Sequence, residues 1–316
     1  MRITHIFSFA AALLLGLGAQ AQTRPLPILE INPDARSAAM GNVSLGEAQS
    51  NYLYVNPASF LYHDNWLTVS ANGELYPKSG DAGRLIYGNA SVGMKFAQRH
   101  AVYVGYRYLG GLSIKRADRF GEIKKTIKPV DMTYDLGYAF RLNDKLAFYA
   151  MGTLTQAHVV KSAFGATFGL GANYRTAFGS DPENPYRVNI GVRVADLGAP
   201  LAYSSKSTYS MPSSFAIGGD VSRKLRDIHK FTLALGSRYY FLPGDATLLT
   251  AGAGVEYALA GIFSLRGGYD FAQKGMSHYT AGVGISYAGL KADFAYKKAT
   301  ESTGIDTMMC TLSFDF

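Results

Sequence analysis

The feature that most constrains the fold is an alternation of apolar and polar residues that recurs from residue 65 to the C-terminus. A two-residue period places alternate side chains on opposite faces of a strand, and segments of roughly nine to fourteen residues are typical of transmembrane barrels. The pattern predicts an all-β fold, a transmembrane antiparallel up-and-down β-barrel of about 14 strands. The predicted strands are 65–76, 83–97, 100–111, 130–142, 144–157, 162–176, 186–197, 212–224, 229–242, 246–259, 261–272, 277–288, 289–298 and 306–316.

The last predicted strand, 306–316, shows the alternation most clearly. Met308 and the C-terminal Phe316 fall on an apolar face, and Asp315 falls on the opposite, polar face. A soluble antiparallel sheet also alternates, so the repetition along the chain favours the membrane barrel more than any one strand does. Cys310 is the single cysteine and lies on the apolar face, so we interpret it as a packing residue and expect no internal disulfide.

The amino terminus predicts export. Residues 1–5 carry one positive charge, residues 6–17 are mostly apolar, and Ala19-Gln20-Ala21 has the small-x-small pattern that signal peptidase reads. We predict a signal peptide over residues 1–21 with cleavage after Ala21. The apolar run is too short to span a bilayer, and no later run is long enough, so a helical membrane protein is excluded. The predicted location is the outer membrane of a Gram-negative cell.

Charged residues fall almost entirely on the faces opposite the apolar ones. A lipid-facing charge at the bilayer midplane costs about 2–4 kcal/mol, so we expect these side chains to point into the lumen. Their mixed signs predict ion-pair networks on the inner wall, with a specific ligand contact as the alternative for each residue. The predicted lumenal charges are Arg107, Asp131, Asp135, Arg187, Arg193, Asp220, Arg238, Glu256, Arg266, Asp270, Lys291 and Asp293.

The overall composition excludes several functional classes. The net charge of +8 is spread along the chain, without a basic run interleaved with aromatics, so no nucleic-acid partner is predicted. A basic lumen or contact with anionic lipid headgroups accounts for the charge equally well. The six histidines are scattered without metal-ligand spacing, and no Gly-x-Ser-x-Gly motif is present. We therefore predict no catalytic residue, no metal and no cofactor.

The connection 112–129 is the longest and most basic of the predicted loops. If both chain termini are periplasmic, it joins strands three and four on the outside of the cell. We interpret it as a candidate contact for an external partner. Its basic residues are Lys115, Arg116, Lys124, Lys125 and Lys128.

Residues 22–63 do not alternate like the rest of the chain. They contain Pro25, Pro27 and Pro33, a short helical pattern over 34–40 and a turn at Asn56-Pro57-Ala58. An apolar segment without a strand of its own needs cover, and the lumen of a large barrel can hold it. We predict an N-terminal plug over 22–63 and a barrel over 64–316.

Residues 34–43 (DARSAAMGNV) followed by 52–58 (YLYVNPA) resemble the opening of the PorV/PorQ family of Bacteroidetes outer-membrane proteins, which are similar to the FadL long-chain fatty-acid transporters. Matching blocks follow in the family order, and the match is closer to PorV than to PorQ. These blocks lie at 195–203, 265–269, 280–284, 292–296 and 311–314. The resemblance assigns a plug motif to Asp34, Arg36, Met40, Gly41, Asn56, Pro57 and Ala58.

The resemblance implies a FadL-like barrel of 14 strands with an N-terminal hatch. It also implies a non-enzymatic binding and scaffold role in type IX secretion. PorV proteins dock beside the translocon, receive cargo with a C-terminal signal domain and pass it to the surface attachment complex. The chain is shorter than typical PorV proteins and has compact external loops, which are the parts that a cargo shuttle would use.

Two other functions stay open at this stage. A FadL-like transporter of hydrophobic small molecules such as fatty acids needs an apolar pocket at the plug and a kinked wall strand, for which Gly88, Gly93 and Gly105 are candidate bends. An outer-membrane hydrolase needs a Ser–His–acid arrangement at one rim, which the sequence does not suggest.

Overall fold

The structure is a computed structural model that describes residues 26–117, 123–181, 183–204, 207–226, 228–273, 276–302 and 304–316. The predicted signal peptide and its cleavage site lie outside these residues. The described residues form a closed antiparallel barrel of fourteen strands, in which each strand pairs with its neighbours in sequence and the first pairs with the last. The strands are β1 (Leu67–Lys78), β2 (Gly83–Phe96), β3 (His100–Leu112), β4 (Val130–Arg141), β5 (Leu146–His158), β6 (Ser162–Phe178), β7 (Tyr186–Gly198), β8 (Ser214–Leu225), β9 (His229–Tyr240), β10 (Leu248–Leu259), β11 (Phe263–Ala272), β12 (His278–Tyr287), β13 (Leu290–Ala299) and β14 (Thr307–Asp315).

The predicted fold is confirmed, and each strand begins and ends within two residues of its predicted span. Large apolar side chains cover the outer wall, where Leu136, Leu265 and Tyr279 are more than 60% exposed. The alternate residues point inward and are buried, as Thr133 and Asp135 are in β4. A protein that buried its apolar side chains away from water would show the opposite arrangement, so this outer wall suits a lipid environment.

The two ends of the barrel differ. At the terminus end, the chain enters β1 at Leu67 and leaves β14 at Asp315, and the turns between strands are short. At the opposite, loop end lie the long connections 113–129 and 199–213. The first contains the outer hairpin, which pairs Ile114–Ala117 with Ile123–Ile127, and the second pairs Leu201–Ser204 with Ser207–Tyr209.

The last strand closes the barrel against the first. The Phe316 amide donates to the Leu67 carbonyl at 2.9 Å, and the Thr68 hydroxyl donates to Asp315 at 2.6 Å. Asp315 also accepts from Lys291 of β13 at 2.6 Å. The polar face of the C-terminal strand therefore binds both of its neighbours, β1 and β13, by side-chain contacts.

Residues 26–63, called the luminal segment below, lie inside the barrel. They contain helices α1 (Ala35–Ala39) and α2 (Tyr52–Val55), with 3₁₀ turns at Pro27–Leu29 and Ser59–Tyr62. Among the described residues, inward-facing side chains on eleven of the fourteen strands hydrogen-bond to this segment. Only a segment enclosed by the wall can meet so many strands. None of the described helices is long and apolar enough to cross a membrane.

A row of inward-facing glycines carries part of the luminal segment. Gly218 pairs directly with Gly191 and with Gly236, and Gly236 pairs with Gly252, so four adjacent strands present no side chain at one level. The backbone of residues 41–45 crosses this row. A Cβ added at Gly191 would lie 2.8 Å from the Leu45 Cβ, which is closer than real Cβ contacts allow.

The expectation of a bend at Gly88, Gly93 or Gly105 is wrong. The β2–β3 register is continuous from Ile86 to Phe96 and therefore passes through all three glycines without a bulge. Gly105 instead lies under Leu53 and Tyr54 of the luminal segment, where it makes room for their side chains.

The wall is irregular in a different place, between β6 and β7. Phe168 pairs with Leu197 and Leu170 pairs with Val194, so the β7 strand carries one extra residue at this point. Asp196 has a left-handed backbone there, with φ of 59°. An extra residue of this kind is a β-bulge, which bends the strand locally.

We predict that Gly191→Ala destabilises the folded barrel, because the added methyl group overlaps Leu45. Overpacking of this kind costs about 1–3 kcal/mol. The measurement is the temperature at which the folded band disappears in a heat-modifiability gel. Gly152→Ala is the matched control, because a Cβ at Gly152 meets nothing within 4 Å. Equal melting of the two variants would contradict the role of the glycine row.

Candidate functional site in the barrel lumen

Helix α1 is fixed at its first turn by the predicted plug residue Asp34. Its carboxylate accepts from the Ser37 amide at 2.8 Å, which is an N-cap, and from the Ser50 hydroxyl at 2.6 Å. The Ala35 amide donates to Thr311 of β14 at 2.8 Å. Asp34 therefore joins the start of α1 to a later part of the luminal segment.

A buried chain of alternating charges joins α1 to the wall. Arg36 donates through Nε and Nη2 to the Glu256 carboxylate, each at 2.9 Å. Arg266 contacts the same carboxylate at 2.5 Å and Asp293 at 2.5 Å. The chain Arg36–Glu256–Arg266–Asp293 links a predicted plug residue to three predicted lumenal charges. Buried charges stay favourable only when they are paired and hydrogen-bonded in this way.

A second polar cluster holds α2 on the other side of the lumen. Asp135 accepts from Arg107 at 2.7 Å and from the Tyr54 hydroxyl at 3.0 Å. Arg193 donates to the carbonyls of Tyr54 and Val55 at 2.7 and 2.8 Å, which satisfies two groups at the end of the short helix. The inward charges of β3, β4 and β7 thus act on the backbone and side chains of α2.

Two lysines hold the stretch between the helices. Lys230 contacts the Glu47 carboxylate at 2.7 Å, and Lys291 donates to the Gln49 carbonyl at 2.6 Å. Burial opposes ionisation of Glu47, but the Lys230 ammonium outweighs it and lowers the pKa of Glu47 to about 2. The stabilisation from this pair is therefore fully present at neutral pH and is lost progressively as the pH falls from about 4.5 to about 2.

The remaining plug-motif residues contact the wall or the segment itself. The Gly41 amide donates to Thr280 at 3.0 Å, and Gly41 has a φ of 70°, which favours glycine. The Asn56 side chain donates to the Gly46 carbonyl at 2.8 Å, and the Pro57 carbonyl accepts from Tyr103 at 2.6 Å. Met40 and Ala58 are buried.

Arg238 and Asp270 are not part of the buried charge chain. They line a cavity of about 190 Å³ near the loop end, together with Asn42 and Tyr240 of the same region. Arg238 donates to the Tyr240 hydroxyl at 3.2 Å. The lining mixes charged, amide and apolar groups, so it differs from the apolar pocket expected for a hydrocarbon or fatty acid.

The predicted external cations lie at the loop end, four on the outer hairpin and Lys128 directly after it. Lys115 is 3.9 Å from Asp81, and both side chains are largely exposed. Lys128 is also exposed. The side chains of Arg116, Lys124 and Lys125 lie outside the described residues.

Sequence reasoning did not single out Glu47, Gln49 or Lys230. Lys230 falls on the inward face of the β9 alternation, so the sequence pattern could have identified it. Its partner Glu47 could not be identified in this way, because it lies in a segment without periodic alternation. In the described part of the chain, no group of three or more His, Cys, Asp or Glu side chains is arranged to hold a metal ion.

The family model for "Type IX secretion system protein PorV" matches residues 18–235. The chain belongs to the PorV family. It is therefore an outer-membrane barrel of a family associated with type IX secretion, and both family and fold are those of secretion and transport barrels. No curated protein is significantly similar to it in sequence.

Solved structures with the same fold are FadL-like barrels. The Ralstonia pickettii toluene transporter TbuX is 14% identical with a TM-score of 0.59, covering 89% of this PorV-family chain and 98% of TbuX. The P. putida toluene transporter TodX is 12% identical with a TM-score of 0.63, covering 89% and 97%. A Pseudomonas aeruginosa FadL homologue is 10% identical with a TM-score of 0.50, covering 90% and 98%. At these identities the likeness shows the fold alone.

We predict that Glu256→Ala releases α1 from the wall of this PorV-family barrel. It leaves Arg36 and Arg266 buried without their shared carboxylate, and breaking a buried ion pair costs about 3–5 kcal/mol. The measurement is hydrogen exchange of residues 34–51 in the folded protein, which should become faster.

Lys298→Ala is the control for this variant. Lys298 also forms an ion pair, with Asp306 at 2.9 Å, but its side chain is 61% exposed. We expect a far smaller effect from its loss, because exposed pairs contribute little. Unchanged exchange in Glu256→Ala would show that other contacts suffice to hold α1.

Proposed function

We propose that the protein is a non-enzymatic binding and scaffold component of type IX secretion that hands cargo to the cell surface, as the PorV family suggests. The observation that carries this proposal is the filled and internally bonded lumen. The luminal segment is held from opposite walls by three contacts. These are the Arg36–Glu256 pair, the hydrogen bonds from Arg193 of β7 to α2, and the Lys230–Glu47 pair. Because the luminal segment occupies the interior, other proteins would contact the rims and the outer surface of the barrel.

The cavities support the same proposal. Two shallow apolar depressions of about 550 and 240 Å³ lie on the lipid-facing outer wall. The cavities that reach the lumen measure about 190 Å³ at the loop end, about 60 Å³ beside Arg107 and about 320 Å³ at the terminus end. Charged side chains line each of them. Pockets for small apolar ligands are mostly hydrophobic, with few polar groups, so these spaces are poorly suited to carrying a hydrocarbon through the barrel.

We propose the outer hairpin as the contact for translocon, attachment-complex or cargo proteins. Longer loops face the cell exterior in barrels of this type, so the loop end is external and the terminus end is periplasmic. The exposed Lys115 and Lys128 are accompanied by Ile114, which is 43% exposed. An apolar side chain among cations is suited to a protein surface with acidic groups around an apolar centre.

We propose that residues 1–21 are removed on export and that 22–63 act as the plug. The buried contacts of residues 26–63 support the second part.

The first test replaces Lys115, Arg116, Lys124, Lys125 and Lys128 with Ser. We expect weaker, salt-sensitive recovery of secretion partners in a pull-down from native outer membranes, because exposed charges act through screened attraction. Arg99→Ser, Lys145→Ser and Arg226→Ser together are the control at the opposite end. Equal recovery from both variants would exclude the outer hairpin as the contact, and the absence of any secretion protein from the wild-type pull-down would contradict the proposed function.

A second candidate function is transport of a hydrophobic small molecule. The observation that favours it is the bulge between β6 and β7, because the cavity of about 60 Å³ beside it is lined by both the outward Phe168 and the inward Arg193. The solved relatives described as toluene transporters share the fold.

For the delipidated protein, we expect no saturable binding of toluene or of a long-chain fatty acid. The reason is the charged lining of the luminal cavities. The measurement is calorimetric titration in detergent, with TodX as the positive control for toluene. Binding that Phe168→Ala alters would favour transport through the bulge.

A further inference from the structure

The terminus-end mouth of the barrel is lined by positive charge. Seven strands carry an inward-facing Lys or Arg at this end. In six of them it is the outermost inward residue, and in β6 Ala177 lies beyond Arg175. We call these residues the mouth cations: Lys95, Arg141, Arg175, Arg187, Lys224, Lys230 and Lys291. The inward positions at the loop end have no such bias, since they carry Asp131, Arg238, Asp270 and Lys297.

Most of the mouth cations lack an acidic partner. Lys230 pairs with Glu47 and Lys291 with Asp315, but the other five form no ion pair with any described residue. Lys224 and Lys230 even lie directly opposite each other in the β8–β9 register. Like charges in that position repel, so an incoming anion would relieve an existing cost.

Two of the mouth cations lie against an aromatic ring of the Ser59–Tyr62 turn. Arg175 and Arg141 lie 4.5 and 5.8 Å from the centre of the Tyr62 ring, and the buried Tyr62 hydroxyl has no hydrogen-bond partner among the described residues. Stacking on the ring orients the guanidinium groups without neutralising them. They remain able to bind carboxylates in the bidentate manner typical of arginine.

The inward direction of these side chains determines which kind of anion can reach them. Because they point into the lumen, they face away from the surrounding lipid and its headgroups. Beside Lys224, Lys230 and Lys291 lies an open vestibule of about 320 Å³, bounded on the inner side by Glu47 and His63. Its two lining carboxylates, Glu47 and Asp293, are already paired with Lys230 and Arg266, so Lys224 is left to attract an anion. The vestibule has room for several side chains, and positive charge in a cleft concentrates anionic ligands.

We propose that the terminus-end mouth is a docking site for an acidic peptide segment of a periplasmic protein. The carboxylates of the segment contact Lys224, Arg187 and the arginines around Tyr62, and part of the segment enters the vestibule. This inference does not depend on the proposed role in secretion, because it concerns the opposite end of the barrel from the outer hairpin.

The test uses the full mature barrel in a zwitterionic detergent, with fluorescein-labelled octaglutamate as the probe and octaglutamine as the neutral control. Fluorescence anisotropy should report binding of octaglutamate only, weakening as salt rises from about 50 to 500 mM. Carbodiimide coupling followed by peptide mass spectrometry should join probe carboxylates to Lys224.

The decisive variant is Arg187→Glu with Lys224→Glu, since neither residue has an ion-pair partner among the described residues. We expect about a tenfold loss of affinity. Lys78→Glu with Arg84→Glu, at the loop end, is the matched control and should change affinity by less than about twofold. The heat-modifiability gel verifies folding, and the milder Arg187→Gln with Lys224→Gln serves if the first variant does not fold.

Two results would overturn the proposal. One is equal affinity for octaglutamate in the mouth variant and the wild type, or coupling confined to loop-end lysines. The other is equally tight binding of inorganic pyrophosphate, which would replace the peptide with a small oxyanion.

Discussion

The cost of placing charge in lipid is the constraint on which the rest of this structure depends. It requires every charged residue of the membrane-spanning strands to point inward or to sit at a rim. The inward charges that the luminal segment buries must then be paired with an opposite charge or hydrogen-bonded, as Arg193 is to two carbonyls. The Arg36–Glu256–Arg266–Asp293 chain is the result. Residues that the membrane forces inward thus become the contacts that hold a separate segment of the chain in place.

Close packing against the glycine row also holds the luminal segment, in addition to the ion pairs. Four paired glycines from β7 to β10 leave a smooth strip of inner wall, and the backbone of residues 41–45 lies against it. Ion pairs reach across a gap with long side chains, whereas the glycine row removes the gap altogether. The luminal segment is therefore held both by directional contacts and by close backbone approach, and a change in either one weakens the whole interior.

Much of the barrel could be predicted from local sequence because its period is local. A strand alternates every second residue, so Arg266 and Asp293 are recognisable as inward-facing without knowledge of their partners. The pairing itself could not be predicted, because Arg36 and Glu256 are 220 residues apart and α1 has no strand register to align them. The bulge at Asp196 was missed for a related reason. Glycine permits a bend without requiring one, and the bend occurs where β7 carries an extra residue, not at Gly88, Gly93 or Gly105.

The barrel architecture alone does not determine the function of this chain. The chain shares its architecture with toluene transporters, yet a transporter has to let its interior move or open for an apolar solute. Here a passage through the lumen that displaced the luminal segment would separate Arg36 from Glu256 and Lys230 from Glu47. The first pair is buried, so its separation leaves charges without partners in a poorly hydrated space. A solute that is itself apolar offers nothing to compensate those charges. An anionic protein segment at the terminus-end mouth would compensate charge, because its carboxylates would pair with lysines and arginines that have no acidic partner among the described residues. The distribution of charge thus favours protein partners at the rims over passage of hydrocarbons through the lumen.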